Sequence, residues 1–453
     1  MDRRDWMAAV SGAAVLSAGA AHPASCAGQE PKIPRGQSLT ISRIKITPIA
    51  LPDPPLLAAS GCHGPYFLRN IIEIETADGI RGVGETRGGL TRTTALERAR
   101  TRVVGQSALS YRSFWKSLRS LGNDVYAGIE LACLDAIGRA VGLRVCELLG
   151  GPIQESVEFA SYLFFRFASD HPQLINDMRI VDKRGRGDRA LDHWGDVRTP
   201  ESMAELAWNF HKRWGFTCHK LKAGVLPPDL ELAALQAIND RFQGKHRLRI
   251  DPNGRWTPAT AKRIAKHLTA LPLEYYEDPV LGQQAMSEVR AATGLTMSTN
   301  MCVTRFEHIP EAVKTQPVDV VLCDHHGWGG ISGCQALGKL APSLGWQLSQ
   351  HSNNHAGITM AGMVHVGAVV PELTLASDTH YPWLVAGADV IQGSNLPIRD
   401  GRIAVPVQPG LGVELDQDQL ARAHEVYRKC GMRGRDDART MRRVQPNWSR
   451  SLF

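Results

Sequence analysis

The pattern of apolar and polar positions changes along the chain, and residues 39–150 form its first part. Apolar and polar residues alternate from Ile44 onward, and the Asp78-Gly79 pair stands between two further alternating runs, as at a β-hairpin turn. Residues from about 92 to 149 then follow a helical pattern that ends at a Gly-Gly pair. We therefore predict an N-terminal α+β domain in which a few strands precede helices.

Residues 151–395 have a different pattern, in which short apolar runs alternate with amphipathic stretches. The runs end at intervals of 29, 26, 23, 24 and 27 residues, a step that fits one strand, one helix and two short loops. Thr257-Pro258 is typical of a helix start, and Gly294 and Gly345 follow two predicted helix ends. Repeated units of this size predict a parallel, TIM-like α/β barrel. The six runs end at Lys222, Asp251, Glu277, Asn300, Asp324 and His351.

The pattern changes again in residues 396–453. The Asp400-Gly401 pair stands between apolar residues and predicts a hairpin, and residues 414–430 predict a helix that a basic tail follows. We expect this segment to return to the N-terminal domain rather than to form a domain of its own.

The first 38 residues predict an export signal and a linker. Residues 8–21 are the longest apolar run, and they are too few to cross a bilayer, so we predict no membrane span. Paired arginines precede this run and small residues follow it, as in a twin-arginine signal that sends folded proteins to the periplasm. The alternatives are a cytoplasmic protein with an N-terminal extension and a chain lipidated at Cys26.

Composition narrows the function classes. Hydrophobic residues make up 43% of the 453 and charged residues 21%, which is typical of a globular protein and not of a disordered one. The net charge of +7 is mild and no basic stripe alternates with aromatic residues, so we do not expect nucleic-acid binding. Nine cysteines without a Cys-x-x-Cys pair do not indicate a disulfide framework.

Two lysines stand at the first of the six strand ends. The carboxyl ends of barrel strands meet at one site, and positions two apart on a strand point the same way, so Lys220 and Lys222 would enter that site together. Two neighbouring cations lower each other's pKa, which would make a lysine a base near neutral pH. The alternative is a pair of surface lysines on a solvated strand.

Three oxygen-bearing side chains end the next three strands. Asp251, Glu277 and Asn300 offer the hard oxygen ligands that Mg²⁺ prefers, and few nitrogen or sulfur donors accompany them. Each residue alone would fit a cap or a turn equally well. Their common position at successive strand ends favours a magnesium site.

Asp324 and His351 end the last two of these strands. An aspartate next to an imidazole orients the ring and raises its basicity, so the two residues predict a general acid–base pair. A structural hydrogen bond is the alternative. A zinc site made of His351 and His355 is a further one, but the sequence lacks the His-Glu-x-x-His pattern of that metal site.

Together these residues resemble those of the enolase superfamily, in its mandelate racemase branch, and within it those of the glucarate dehydratases. Asparagine as the third metal ligand is one point of likeness, and three blocks of sequence are others: SGCHGPYF at 60–67, QHSNNH at 350–355 and GRDDA at 434–438. The likeness extends from about residue 40 to the end. The chain departs from the family by a shorter stretch after residue 279 and by glycines at 327–330.

The resemblance implies a modified (β/α)7β barrel beneath an N-terminal α+β capping domain, with bound Mg²⁺ and a tendency to form homo-oligomers. It also implies that a threonine hydroxyl near Gly88-Gly89, from residue 91, 93 or 94, contacts the substrate. The substrate-binding residues that it implies are His63, Tyr162, Asn253, Asn353 and Arg435.

The activity that the resemblance implies is dehydration of an acid sugar, with glucarate as the first candidate. Lys222 and His351, the latter oriented by Asp324, would remove the proton beside a carboxylate from opposite faces, while Lys220 stabilises the enediolate. Dehydration of another acid sugar, or epimerisation or racemisation, remains open on the same scaffold. A non-catalytic binder of acid sugars is the alternative from another class.

Overall fold

The computed structural model describes residues 38–174, 192, 194–393 and 395–453. Apart from Ser38, the predicted export signal and linker, with Cys26, lie outside the described residues. Among the helices that are described, none is both long enough and apolar enough to cross a membrane. The location of the protein in the cell therefore stays a prediction.

The N-terminal part is an antiparallel sheet covered by helices, as the alternating pattern predicts. The sheet has the order β1-β4-β5, and β2 and β3 pair as a small hairpin. A Cβ atom at Gly84 of β5 would lie 2.1 Å from the backbone oxygen of Gly128 in α3, so glycine allows helix and sheet to meet closely. The elements are β1 (Ile41–Pro52), β2 (Leu57–Ala58), β3 (Gly61–Cys62), β4 (Tyr66–Thr76), β5 (Arg81–Arg87), α1 (Leu90–Val103), α2 (Tyr111–Leu118), α3 (Asn123–Val141) and α4 (Val145–Leu148).

Eight parallel strands, β6 to β13, follow in sequence order and form the predicted barrel. β13 pairs with β6, and the backbone N–H of Asp378 donates to the Gln350 oxygen at 2.8 Å, which joins β13 to the segment after β12. The elements are β6 (Ser156–Phe164), α5 (Pro200–Trp214), β7 (Cys218–Lys222), α6 (Pro228–Arg241), β8 (Arg247–Asp251), α7 (Pro258–Leu268), β9 (Leu273–Glu277), α8 (Gln283–Thr293), β10 (Met297–Thr299), α9 (Ile309–Thr315), β11 (Val320–Leu322), α10 (His325–Trp328), α11 (Gly330–Leu340), β12 (Gln347–Ser349), α12 (Gly357–Val369) and β13 (Ser377–Thr379).

The predicted strand and helix boundaries hold in the first half of the barrel and shift in the second. β7, β8 and β9 end at the predicted residues, whereas Asn300 follows β10 directly and Asp324 and His351 each lie two residues beyond a strand. Thr257 caps α7 by accepting from the Thr260 N–H at 3.2 Å. Gly345 ends a 3-10 turn instead of the predicted α-helix.

The C-terminal segment contacts both parts of the molecule. It contains β14 (Arg402–Ala404), α13 (Gln417–Cys430) and α14 (Asp437–Val444). β14 pairs with the start of β6, and His424 Nδ1 on α13 lies 2.7 Å from the Pro48 oxygen on β1. The end of the chain thus reaches the N-terminal sheet, while the exact division into domains stays a prediction.

Candidate active site

A cavity of about 660 Å³ lies at the carboxyl ends of the barrel strands, below the N-terminal unit and the C-terminal segment. Most of the residues singled out from the sequence line it. Four others do not: Lys220, Asp251 and Glu277 are fully buried, and Asp324 lies in contact with His351. The lining residues from the sequence analysis are His63, Tyr162, Lys222, Asn253, Asn300, His351, Asn353 and Arg435.

Lys220 is an ion-paired cation at the bottom of the site. Its Nζ lies 2.7 Å from Asp378 Oδ2 and 3.6 Å from Asp251 Oδ2, and it also pairs with Glu277. Burial alone would lower the pKa of Lys220, but these three carboxylates outweigh it and raise that pKa above its ordinary value. The expectation that the two lysines lower each other's pKa is therefore wrong for Lys220. The three carboxylates around Lys220 have a larger effect on its pKa than the charge of Lys222.

Lys222 stands beside Lys220 but faces the cavity. Its Nζ lies 2.5 Å from Asp251 Oδ2, and both ammonium groups lie over the Tyr162 ring, at 4.8 Å for Lys220 and 5.3 Å for Lys222. The field of Lys222 and Lys220 outweighs burial and holds the pKa of Asp251 below its ordinary value. We call Lys220, Lys222, Asp251 and Glu277 the floor of the site.

The predicted metal ligands come together beside the lysines. Asp251 and Glu277 are completely buried, and the Asn300 side-chain amide lies 2.8 Å from Glu277 Oε1. Burial and the charge of Asp251 raise the pKa of Glu277. Asn253 supports Asp251, since its backbone N–H donates to Asp251 Oδ1 at 2.9 Å and its Nδ2 to Oδ2 at 3.1 Å.

Asp278 is a fourth oxygen-bearing residue that sequence reasoning missed here. Its carboxylate, together with those of Asp251 and Glu277, offers oxygen atoms that all lie within 4.8 Å of one another. It accepts from the Thr299 hydroxyl at 2.5 Å and from the Asn300 N–H at 2.7 Å, and burial raises its pKa to about 7. Three buried carboxylates gathered this closely fit a divalent cation that takes oxygen ligands.

The Asp324–His351 pair forms the opposite wall. His351 Nδ1 lies 3.2 Å from Asp324 Oδ2, which leaves Nε2 as the ring nitrogen that can act on a substrate. Burial lowers the pKa of His351, and the hydrogen bond to Asp324 opposes that effect. Burial would raise the pKa of Asp324, but His351 and nearby positive charges hold it well below its ordinary value.

His355 does not join a zinc site with His351. Its Nδ1 lies 3.1 Å from the Ala356 oxygen and its Nε2 3.0 Å from Ser352 Oγ, so neighbouring protein atoms occupy both ring nitrogens. Residues 352–356 form no helix, and the spacing of four residues therefore has no helical meaning here.

The upper side of the cavity is a hydrogen-bonded network drawn from three distant segments. Asn354 Nδ2 donates to Asp53 Oδ1 at 2.9 Å, and Arg435 donates to Asn354 Oδ1 at 3.1 Å and to both Asp437 oxygens at 2.6 and 2.7 Å. His63 Nδ1 lies 3.5 Å from Asp53 Oδ1. We call Asp53, His63, Asn354, Arg435 and Asp437 the roof of the site.

Three side chains that line the cavity hold polar atoms without a hydrogen-bond partner among the described residues. These atoms are His63 Nδ1, the Tyr162 hydroxyl and His380 Nε2. His380, which sequence reasoning missed, follows β13, and its ring stacks on His63 with 5.8 Å between centroids. One more step of 29 residues from His351 would have reached it.

The threonine expected near Gly88-Gly89 does not reach the cavity. Leu90 begins α1, so the three candidates lie on a helix; Thr93 donates to Asn70 Oδ1 at 2.8 Å and Thr94 to the Leu90 oxygen. Arg87, at the end of β5, lines the cavity from this region instead. Its position depends on how the sheet packs over the barrel, which no local pattern indicates.

The sequence is similar to that of known proteins. Residues 202–419 match the family described as "Enolase C-terminal domain-like". A "Probable glucarate dehydratase" of Streptomyces coelicolor is 41% identical over 442 residues, which cover 91% of this chain and 98% of that protein.

Solved structures give the same result for the fold. An enolase of Thermobispora bispora complexed with magnesium and formate is 38% identical, has a TM-score of 0.85, and matches over 92% of this chain and 99% of its own. An enolase of Pseudomonas fluorescens with bound magnesium, potassium and tartrate is 37% identical, with a TM-score of 0.85 and the same coverage.

Proposed function

Because the chain belongs to the enolase superfamily, in its mandelate racemase branch, we propose that it removes water from an acid sugar, with D-glucarate as the first candidate. The relative named for glucarate dehydration supports the substrate, since it aligns over nearly its whole length. The observation that carries the proposal is the cavity itself, which has a lysine on one wall and an aspartate-oriented histidine on another.

The positions of the two bases in the barrel support action on opposite faces of one carbon. Lys222 ends β7 and His351 follows β12, and in the order of the barrel strands β7 and β12 stand three places apart on either side of β6 and β13. Lys222 removes the proton next to a substrate carboxylate. His351, on the other side, gives a proton to the departing β-hydroxyl, and the resulting enol becomes a keto-deoxy acid.

The floor supplies the charge that makes this proton removable. Lys220 is held as a cation by three carboxylates, so its ammonium group can stabilise negative charge on the substrate carboxylate as the proton leaves. Asp251, Glu277 and Asn300 would hold Mg²⁺, and the Asp278 carboxylate lies close to those of Asp251 and Glu277. Magnesium, when bound, acidifies the α-proton by drawing charge toward the carboxylate oxygens.

The roof recognises the far end of the substrate. Arg435 keeps 38% of its side-chain surface exposed where it lines the cavity, and Asp437 fixes the orientation of its guanidinium group. A forked guanidinium suits a second carboxylate, which favours a diacid over a monoacid. The Tyr162 hydroxyl and His380 Nε2 are available for the hydroxyl groups between the two ends.

Epimerisation is the second candidate, because the same pair of bases also permits it. A base on each face can remove a proton on one side and return it on the other without loss of water. A non-catalytic binder is disfavoured, since a binder has no need of Lys222 and His351 in the same cavity.

Proton NMR of D-glucarate in D₂O tests the proposal, with purified protein and with magnesium present or removed by a chelator. We expect signals of a keto-deoxy acid only when magnesium is present. Exchange of the α-proton for deuterium without loss of water would favour epimerisation. If neither the product nor exchange of the α-proton is observed, the choice of D-glucarate as substrate is contradicted.

A further inference from the structure

A second cavity, of about 620 Å³, adjoins the candidate active site. The two cavities share Arg87, Asn300, Met301 and His351 in their linings, so they meet at these side chains. The second cavity extends from there toward α3 and the segment before α9. We call it the arginine chamber, after the guanidinium groups in its wall, which belong to Arg87, Arg92, Arg119 and Arg305.

The wall of the chamber carries an excess of positive charge. Arg92 pairs with Asp124 at 2.7 Å and Arg87 with Asp324 at 3.5 Å, and these two are the acidic residues in the lining. Among the described residues, Arg119 and Arg305 form no ion pair with a carboxylate; Arg305 Nε donates to His308 Nε2 at 2.9 Å. Four guanidinium groups therefore face two carboxylates across one cavity.

The beginning of α3 adds to this field. Residues 122–124 line the chamber, and this helix of 19 residues begins at Asn123 without an N-cap side chain, while Asp124 Oδ1 in its first turn accepts from the Val125 N–H at 3.1 Å. The first turn of a helix carries N–H groups without partners in the helix and the positive end of its dipole. Such ends attract anions, and here one opens into a cavity that already has an excess of arginine.

The arginine chamber is also lined by the acid–base pair, Asp324 and His351. Asp324 Oδ2 lies 3.5 Å from Arg87 and 3.2 Å from His351 Nδ1, so Arg87 and His351 share one carboxylate oxygen. An anion in the chamber would compete with Asp324 for Arg87.

We propose that the arginine chamber binds a second oxyanion of the phosphate class, separate from the acid sugar in the first cavity. Phosphate presents oxygens in several directions and suits several guanidinium groups at once, whereas a single carboxylate would use one or two. The phosphate group can come from free inorganic phosphate or from a phosphorylated small molecule.

Titration calorimetry with inorganic phosphate tests the proposal on the magnesium-loaded full chain at constant ionic strength. The double variant Arg119→Gln/Arg305→Gln removes the two unpaired cations, both of which are exposed, so the fold should tolerate it. The control Arg98→Gln/Lys339→Gln removes the same charge from exposed helix positions outside the chamber. We expect the Kd for phosphate to rise about tenfold or more in the first variant and to stay within twofold in the control.

A third variant, Arg435→Lys, shows which cavity holds the phosphate. If its Kd for phosphate equals that of the unchanged protein, the anion is not in the first cavity, as proposed. The proposal would be overturned if Arg435→Lys bound phosphate more weakly while Arg119→Gln/Arg305→Gln kept the Kd of the unchanged protein. It would also be overturned if all the variants had the same Kd for phosphate. None of these readouts depends on turnover, so they remain valid if the proposed dehydration fails.

Glucose 6-phosphate distinguishes the two sources of the phosphate group. Tighter binding than that of inorganic phosphate, lost in the chamber variant, would identify a phosphorylated small molecule as the ligand. Binding of inorganic phosphate alone, again lost in that variant, would identify the free anion.

Discussion

The floor and the roof of the candidate site hold charges in two different ways. The floor residues stand on the consecutive strands β7, β8 and β9, are almost completely buried, and are matched charge for charge by close partners. The roof residues come from positions 53–63, 354 and 435–437, and loops hold all of them except Asp437, which begins α14. Barrel strands therefore fix the lysines and acids of the floor, while segments assembled from distant parts of the chain hold the residues proposed to recognise the substrate. Changes in the floor should therefore reduce kcat, and changes in the roof should raise KM.

The largest effect is expected from Glu277→Gln in the floor. This variant keeps the shape of the side chain but removes one of the carboxylates that gather beside Lys220. We expect magnesium binding to weaken and kcat to fall by about 10³-fold or more, because metal stabilisation of the developing charge contributes several kcal/mol. Calorimetry with magnesium and steady-state kinetics measure both. Glu288→Gln, at an exposed position on α8, is the control. Equal kinetics in the two variants would contradict a role of Glu277 in the reaction.

The next effect concerns stability rather than rate. Asp378 pairs with Lys220 at 2.7 Å and with Arg249 at 3.0 Å, and all three are buried. Asp378→Asn leaves two buried cations with less compensation, so we expect the free energy of unfolding to fall by about 3–5 kcal/mol. Denaturant unfolding measures the loss.

Glu75→Gln is the matched control for this loss. It removes an acid from the exposed pair with Arg43, and a solvent-screened surface pair of this kind contributes little to stability. If both variants lost the same stability, burial would not distinguish the floor from the surface.

A smaller effect is expected in the roof from Arg435→Lys. A lysine cannot contact Asp437, Asn354 and a substrate carboxylate in the same geometry. We expect KM to rise about tenfold with kcat nearly unchanged, since the lost contact is made equally before and during the reaction. Arg433→Lys, exposed and two residues away, is the control. A fall in kcat with an unchanged KM would place Arg435 with the reacting groups.

The smallest expected effect concerns the pH dependence of kcat/KM. Burial lowers the pKa of His351 from its ordinary 6.5. The ring acts as a base only when neutral, so the neutral form should persist to a lower pH than in a free histidine. For proton removal by His351, kcat/KM should therefore rise with pH through a pKa below 6.5 and then stay level. A limb above 6.5 would show that Asp324 outweighs burial.

The same contrast explains how much the sequence could predict. Lys220, Asp251 and Glu277 were identifiable because strands recur at a nearly constant step and their ends must meet. Asp378 and His380 follow the same step, and they were missed only because it was not extended to the eighth strand.

No comparable sequence pattern predicts the residues of the roof. Local patterns do not indicate that residue 53 meets residues 354 and 435, and His63 and Arg435 were expected only through the resemblance to a family. The threonines after Gly89 were wrong because α1 begins at Leu90 and carries them away from the cavity. Loop contacts between distant segments arise from packing, which the order of residues does not display.

The most direct test of the central claim, two bases on opposite faces, is deuterium exchange in the variants Lys222→Ala and His351→Asn. Proton NMR in D₂O with magnesium follows the α-proton of D-glucarate and of the diacid with the opposite configuration at the reacting carbon. Each variant should lose exchange with one diacid by about 10²-fold or more and keep exchange with the other. Loss of the same diacid in both variants, or of neither, would contradict the account.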